Sequence, residues 1–287
     1  MNDNLNDDKL NYKARSFGKG LLLNAFLLLI TATCLFPLIW AFGTSLKTQS
    51  SVFSDMSIIP KVLHWENYYL AWTDGNFGTY FVNSLVYTVF TVFGIVIVSS
   101  LAGYAFSRLE FPGKNFFFYM FLAAMMIPLP GSFVPLYVVM QKLHLLNTRH
   151  GYVLCMINVG LSLSIFLFKI FFDKLPKDLE DAARIDGCSK LGIWWNVALP
   201  LARPALAVVI IFNSLNVWNE FILANIIFDD TKFMPLQVGL STFRGEFVTQ
   251  YPLLMAGIVI TVIPILLVYI FLQKHIVKGL TAGAMAG

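Results

Sequence analysis

Long apolar runs alternate with short polar gaps along this chain. Six runs carry almost no charge: residues 21–42, 81–106, 116–140, 152–172, 206–228 and 253–273. An α-helix of about 20 apolar residues matches the ~30 Å hydrocarbon core of a bilayer at 1.5 Å rise per residue. The pattern therefore predicts an all-α integral membrane protein with six transmembrane helices. The third run contains Pro128, Pro130 and Pro135. Prolines inside a span are tolerated where neighbouring helices or water satisfy the freed carbonyls. The first run is longer than a signal-peptide core, lacks a small-residue cleavage site and follows a polar segment, so it is expected to be retained.

The gaps set the organisation. Residues 1–20 form a polar tail, 21–42 the first span and 43–80 a long loop. Residues 81–273 form a core of five spans, and 274–287 a second tail. The 43–80 loop carries Trp65, Tyr68, Tyr69 and Trp72, which suit an interfacial aromatic belt or a docking surface. No gap is large enough for a soluble catalytic domain.

Composition supports the membrane reading. The chain is 57% hydrophobic and 13% charged, about half the charge of an ordinary soluble domain. With the N-terminus inside, thirteen Lys and Arg fall in inside segments and six outside, while Lys169 near an inner span end completes the twenty. That bias predicts both termini in the cytoplasm. The net charge of +4 is then an orientation signal, and the scattered basic residues do not suggest nucleic acid as a partner. Cys34, Cys155 and Cys188 suggest neither a disulfide framework nor a metal site. The four histidines lack ligand spacing. Gly113-Lys114 is followed by Asn115, so there is no nucleotide-binding phosphate loop. No catalytic constellation appears, and no cofactor is expected on this chain.

The largest inside feature is residues 178–200, DLEDAARIDGCSKLGIWWNVALP. Pro176, Asp178, Glu180 and Asp181 give a helix start suited to the positive end of the helix dipole. Glu180 and Arg184 are four apart and can pair. Leu179, Ala182, Ala183 and Asp186 continue the helix, and Gly187 supplies its end. A second short helix follows over 189–197, with Trp194 and Trp195, and Pro200 closes it. Either this is an interfacial hairpin between two spans, or it is a rigid helix that seats on a cytoplasmic protein.

The residues E-D-A-A-R-I-D-G followed by V-A-L-P resemble the EAA motif of importer-type ABC transporter permeases. Asp181, Ala182, Ala183, Gly187, Val197, Leu199 and Pro200 carry the match. Asp181 stands where the motif has glutamate, keeping the charge with one methylene less reach. IPLPGSFVPLY, LHLLNTRHGYVL, LPKDLEDAARIDG, VWNEF and the tail VKGLTAGAMAG together resemble the carbohydrate-uptake permeases, specifically the maltose-type second permease. The tail ends A-M-A-G where a basic residue is common.

The resemblance implies a type I ABC importer permease fold with a cytoplasmic coupling helix. It implies a bacterial-type cell membrane, a heterodimer with a homologous second permease, and two ATPase subunits that use ATP and Mg. It also implies an extracellular solute-binding protein that delivers a sugar. Glu180, Asp181, Ala182, Ala183, Arg184, Asp186, Gly187, Leu199 and Pro200 would couple to an ATPase. Arg244, Glu246 and Gln250, in the outside loop before the sixth span, would meet the binding protein.

Polar residues inside spans are expensive and mark candidate pathways. Asn213, Asn216 and Glu220 lie at i, i+3 and i+7, within about 60° on a helix. Such a stripe suits sugar hydroxyls or inter-helix hydrogen bonds. Trp218 and Asn219 lie beside it on other faces. Asn83 and Asn158 are weaker signals of the same kind. The competing function is a secondary transporter or channel subunit, which calls for inverted repeats or an intramembrane charge relay. A membrane enzyme calls for paired acid/base or metal-ligand residues at one depth. None of these is visible.

Overall fold

The computed structural model describes residues 3–127, 129–245 and 249–284. Among them the chain is α-helical, with no β-strand beyond one isolated bridge between Arg244 and Thr249. Four helical stretches are long and apolar enough to cross a membrane: Leu22–Ser45, Phe77–Arg108, Arg149–Asp173 and Tyr251–Val268. A bent pair, Lys190–Leu201 and Arg203–Trp218, meets at 80° and would add a fifth crossing only if the two count as one broken span.

Among the described residues, two of the six expected spans are not single continuous helices. The third apolar run folds as two helices, Lys114–Ala124 of 11 residues and Leu129–Lys142 of 14. At 1.5 Å per residue these reach about 16 and 21 Å, too short to cross singly. The helix stops at a turn over 125–126, just ahead of the proline-rich segment, as expected where a proline follows. The fifth run is also interrupted. Its helix ends at Trp218, and a separate short helix, Ile222–Ile227, follows.

The elements are labelled in chain order. They are α1 (Asp3–Ser45), α2 (Glu66–Thr73), α3 (Phe77–Arg108), α4 (Lys114–Ala124), α5 (Leu129–Lys142) and α6 (Arg149–Asp173). After these come α7 (Lys177–Ile185), α8 (Lys190–Leu201, with a π-helical turn at Trp194–Ala198), α9 (Arg203–Trp218), α10 (Ile222–Ile227) and α11 (Tyr251–Ala284).

The scaffold is the pair α3 and α6, packed along their length. Their close approach needs a residue without a side chain. A Cβ on Gly103 would lie 2.7 Å from the Phe168 Cβ and 3.1 Å from the Lys169 backbone nitrogen, so the small residue sets the helix separation. Toward the α7 end of the pair, Ile95, Tyr104, Phe168, Phe172, Trp194 and Ala198 form one apolar cluster. Near the other end, Tyr87, Tyr152 and Phe228 cluster with ring centroids 4.8 to 5.7 Å apart, Tyr87 and Phe228 stacked.

α1 stands largely outside this core, and its C-terminal end is tied down by polar contacts. Asn67 donates to the carbonyls of Ser45 and Lys47 at 2.8 and 2.9 Å. The Lys47 ammonium, fully buried, donates to the Asp55 carbonyl. Gln49 bonds Thr249 and Tyr251 at the start of α11. Asn67 and Lys47 are buried, so their bonds satisfy groups that would otherwise be left unpaired away from water.

Overpacking a tight helix crossing costs about 1–3 kcal/mol. Gly103→Val should therefore lower the thermal midpoint of the detergent-solubilised chain by several degrees. Val98→Ala, on the exposed side of the same helix, should leave it nearly unchanged. Equal midpoints for the two variants would contradict the packing role of Gly103.

Candidate functional site

α7 begins after Pro176, with Asp178 and Glu180 in its first turn, where the dipole favours acidic groups. It ends in a left-handed turn. Gly187 has φ +82°. Its N–H bonds the Arg184 carbonyl at 3.1 Å, and the Cys188 N–H bonds the Ala183 carbonyl at 3.0 Å. That is a Schellman cap, which needs glycine at this position.

The helix has two unlike faces. Glu180 and Ala183, three apart, are buried against the protein. Leu179, Asp181, Ala182, Ile185 and Asp186 are exposed, with Ile185 at 87%. The expected Glu180–Arg184 pair is not made. Glu180 points inward and pairs with Arg108 Nε at 2.8 Å, while its second oxygen accepts from the Tyr104 hydroxyl at 3.2 Å. Arg184 pairs instead with Asp181 at 3.1 Å, with both side chains well exposed. Burial decides between them: a carboxylate on the inward face takes the buried cation.

α8 continues along the same side. Trp194 and Ala198 are buried, Leu199 is half-buried, and Leu191, Trp195 and Pro200 are exposed. The chain then turns 80° into α9. The segment 178–200 is thus a helix, a glycine turn and a second helix.

The polar residues of the fifth run separate into two groups. Asn213 is buried, donating to Ser164 Oγ at 3.0 Å and to the Val209 carbonyl at 2.8 Å. Trp218 donates to the Thr261 carbonyl of α11 at 3.1 Å. Asn219 donates to the Leu215 carbonyl. Glu220 does not share a helical face with Asn213 and Asn216, because α9 ends two residues before it. It caps α10, accepting from the Leu223 and Ala224 N–H groups at 2.6 and 2.9 Å and from the Tyr152 hydroxyl at 3.1 Å. Asn83 donates to the carbonyls of Lys232 and Met234 and accepts from Arg149. These residues hold backbone in place.

Asn158 and Asn216 differ. Both are exposed, and they line one cavity of about 270 Å³ with Ser162, Phe212, Met125 and Ile127. The cavity opens beside the break between α4 and α5. Gln250 lines a separate cavity of about 370 Å³ with Asp74, Asn76, Tyr80, Thr242 and Phe243. Arg244 is exposed beside it, and Glu246 lies outside the described residues. Among the described residues no group of three His, Cys, Asp or Glu could hold a metal.

Sequence reasoning did not single out Arg108 and Tyr104. Arg108 registered only as an inside charge. Its place as the last residue of a span, where a guanidinium can bury between two helices, was the available signal.

The chain is similar to known proteins over most of its length. The family profile of binding-protein-dependent transport system inner membrane components matches residues 94–282. The diacetylchitobiose uptake system permease protein of Streptomyces coelicolor is 35% identical, over 91% of this chain and 87% of its own length. The arabinooligosaccharides transport system permease protein of Bacillus subtilis is 33% identical, over 92% of this chain and 95% of its own length. A solved bacterial ABC transporter involved in import of the acidic polysaccharide alginate superposes with a TM-score of 0.80 at 26% identity, covering 89% of this chain and 95% of that one.

A non-glycine residue in the left-handed region costs about 1–2 kcal/mol. Gly187→Ala should therefore speed amide hydrogen exchange over residues 183–188 by roughly five- to thirty-fold, leaving α3 and α6 unchanged. Exchange at the wild-type rate would contradict the cap.

Proposed function

The chain belongs to the family of binding-protein-dependent transport system inner membrane components, on its carbohydrate-uptake side, and from that premise we propose how it works within an importer. Members of this family are translocation subunits, and ATP hydrolysis resides in separate subunits. The chain has the fold of a type I ABC importer permease.

In this reading the chain forms a heterodimer with a homologous permease in the cell membrane, both termini facing the cytoplasm. Two ATPase subunits bind ATP and Mg beneath it. An extracellular solute-binding protein delivers a sugar or oligosaccharide above it. The observation that carries the reading is the two-faced helix α7. Its inner face is tied to the spans, while its outer face leaves Leu179, Ala182 and Ile185 exposed among the described residues. An exposed Ile185 on a short polar helix suits a protein cleft better than water. Small Ala182 permits close approach, and Asp181, Arg184 and Asp186 supply a polar rim.

ATP-driven closure of the ATPases would displace α7 and shift the permeases between inward-open and outward-open states. ATP and sugar bias this equilibrium only through unlike affinity for the two states. Asn158 and Asn216 would line the path. An amide on a span is costly against lipid, so their exposure fits a seam with the second permease and a wet channel. Asn213, Trp218, Asn219, Glu220 and Asn83 would border that path and keep its walls in register. Arg244 and Gln250 would meet the binding protein.

Two outcomes test this. In proteoliposomes holding the whole complex, Ala182→Trp should lower ATPase activity stimulated by the binding protein more than ten-fold while the chain still inserts. Activity at the wild-type level would remove the coupling role of α7. The pair Asn158→Leu and Asn216→Leu should lower sugar uptake about ten-fold with the ATPase subunits still bound. Unchanged uptake would place the path elsewhere.

A further inference from the structure

We propose that Arg108 is a positioning residue that locks α7 to the spans α3 and α6, so that a displacement of α7 reaches both spans as one movement. The inference rests on the reading of α7 as the ATPase contact, and it adds the part inside this chain that carries the force.

The need for such a lock is geometric. α6 ends at Asp173 and α7 begins at Lys177. Only Lys174, Leu175 and Pro176 join them. A short link of that kind fixes distance but not angle. Left alone it would let α7 swivel under the spans, and a push on its outer face would be spent in the link.

The last turn of α3 closes that joint at four points. Ser107 donates to Asp173 at 2.7 Å, holding the end of α6. Arg108 Nη2 donates to the Leu175 carbonyl at 2.6 Å, holding the middle of the link. Arg108 Nε pairs with Glu180 at 2.8 Å, holding the first turn of α7. Tyr104, one turn back, donates to the other Glu180 oxygen at 3.2 Å. One guanidinium therefore spans link and helix together. The guanidinium makes one hydrogen bond, to the Leu175 carbonyl, and one ion-pair contact, to Glu180, and these two contacts on different segments fix direction as well as distance. A lysine ammonium is a single point charge and cannot do both at this geometry.

The Arg108 and Glu180 side chains are only 6% and 10% exposed. Removing such a pair from water offsets most of its attraction, so burial there does little for stability. What it supplies is one arrangement out of many, since every alternative leaves a charge buried and unpaired. The neighbouring Arg184–Asp181 pair makes the contrast. Its side chains are 64% and 60% exposed, and water would replace either partner. α3 is in turn packed tightly on α6 through Gly103. α7, α6 and α3 then form one rigid lever.

The test uses the assembled transporter in nanodiscs and proteoliposomes. Arg108→Lys and Glu180→Gln are compared with wild type and with Ala182→Trp. A double variant, Arg108→Met with Glu180→Leu, removes both charges and so leaves none stranded. Two quantities are read: sugar moved per ATP hydrolysed, and the distance distribution between spin labels at Lys177 and Val98 in a chain whose three cysteines are replaced. The lock predicts that variants which retain the ATPase subunits move at least five-fold less sugar per ATP, with a broadened label distance. A loss of folding stability alone would not widen that distance in the assembled complex.

If assembled Arg108→Lys and the double variant keep both the wild-type ratio and a narrow distance, the lock is overturned. If Ala182→Trp is also silent, the reading of α7 as the ATPase contact falls first. If Ala182→Trp is disruptive while the Arg108 and Glu180 variants are silent, only the lock falls.

Discussion

A hydrocarbon slab offers no water to an unpaired amide, hydroxyl or carboxylate, and this constraint sorts the polar side chains of the spans. Asn83, Asn213, Trp218 and Glu220 each find protein partners, often backbone groups freed where a helix ends or another chain segment crosses. Glu220 is the clearest case. A carboxylate in an apolar setting is satisfied by two backbone N–H groups at a helix start and by the Tyr152 hydroxyl. Its position is set by the break after Trp218, and the break is held by it. Asn158 and Asn216 stay open to a cavity instead. The same rule makes these two the residues on which the proposed path rests.

At the α7 end of the spans the constraint acts through charge. A carboxylate and a guanidinium meet out of water, and each keeps the other from being stranded. That contact turns α7 so that Glu180 and Ala183 face inward and Leu179, Ala182 and Ile185 face out. The Schellman turn at Gly187 ends the helix before it can drift from that orientation. Local chain chemistry fixes where α7 starts and stops, and one long-range ion pair fixes which way it looks.

The division between local and long-range interactions also accounts for what the sequence made legible. Uninterrupted apolar runs such as 81–106 and 152–172 read directly as helices, because length and hydropathy are local. The helix start at Pro176 and its end at Gly187 are local too, and both were readable. The third run was legible as apolar but not as two short helices, since whether prolines bend or break a span depends on its neighbours. Glu220 was placed on a face with Asn213 because a 3.6-residue period assumes an unbroken helix, and α9 stops at Trp218. Glu180 was paired with Arg184 by spacing. Its real partners, Arg108 and Tyr104, lie more than seventy positions away, a separation that no local pattern encodes. The EAA-like residues pointed to a family and a role, and the fold adds which of them face outward.

The account centres on the outward face of α7 as the contact through which ATP hydrolysis reaches the spans. A photo-crosslinking residue in place of Ile185 tests it most directly, in the complete complex in its native membrane. The account predicts a crosslink to an ATPase subunit whose yield changes between the nucleotide-free and ATP-bound states. Crosslinks only to lipid, or a yield indifferent to nucleotide, would contradict it.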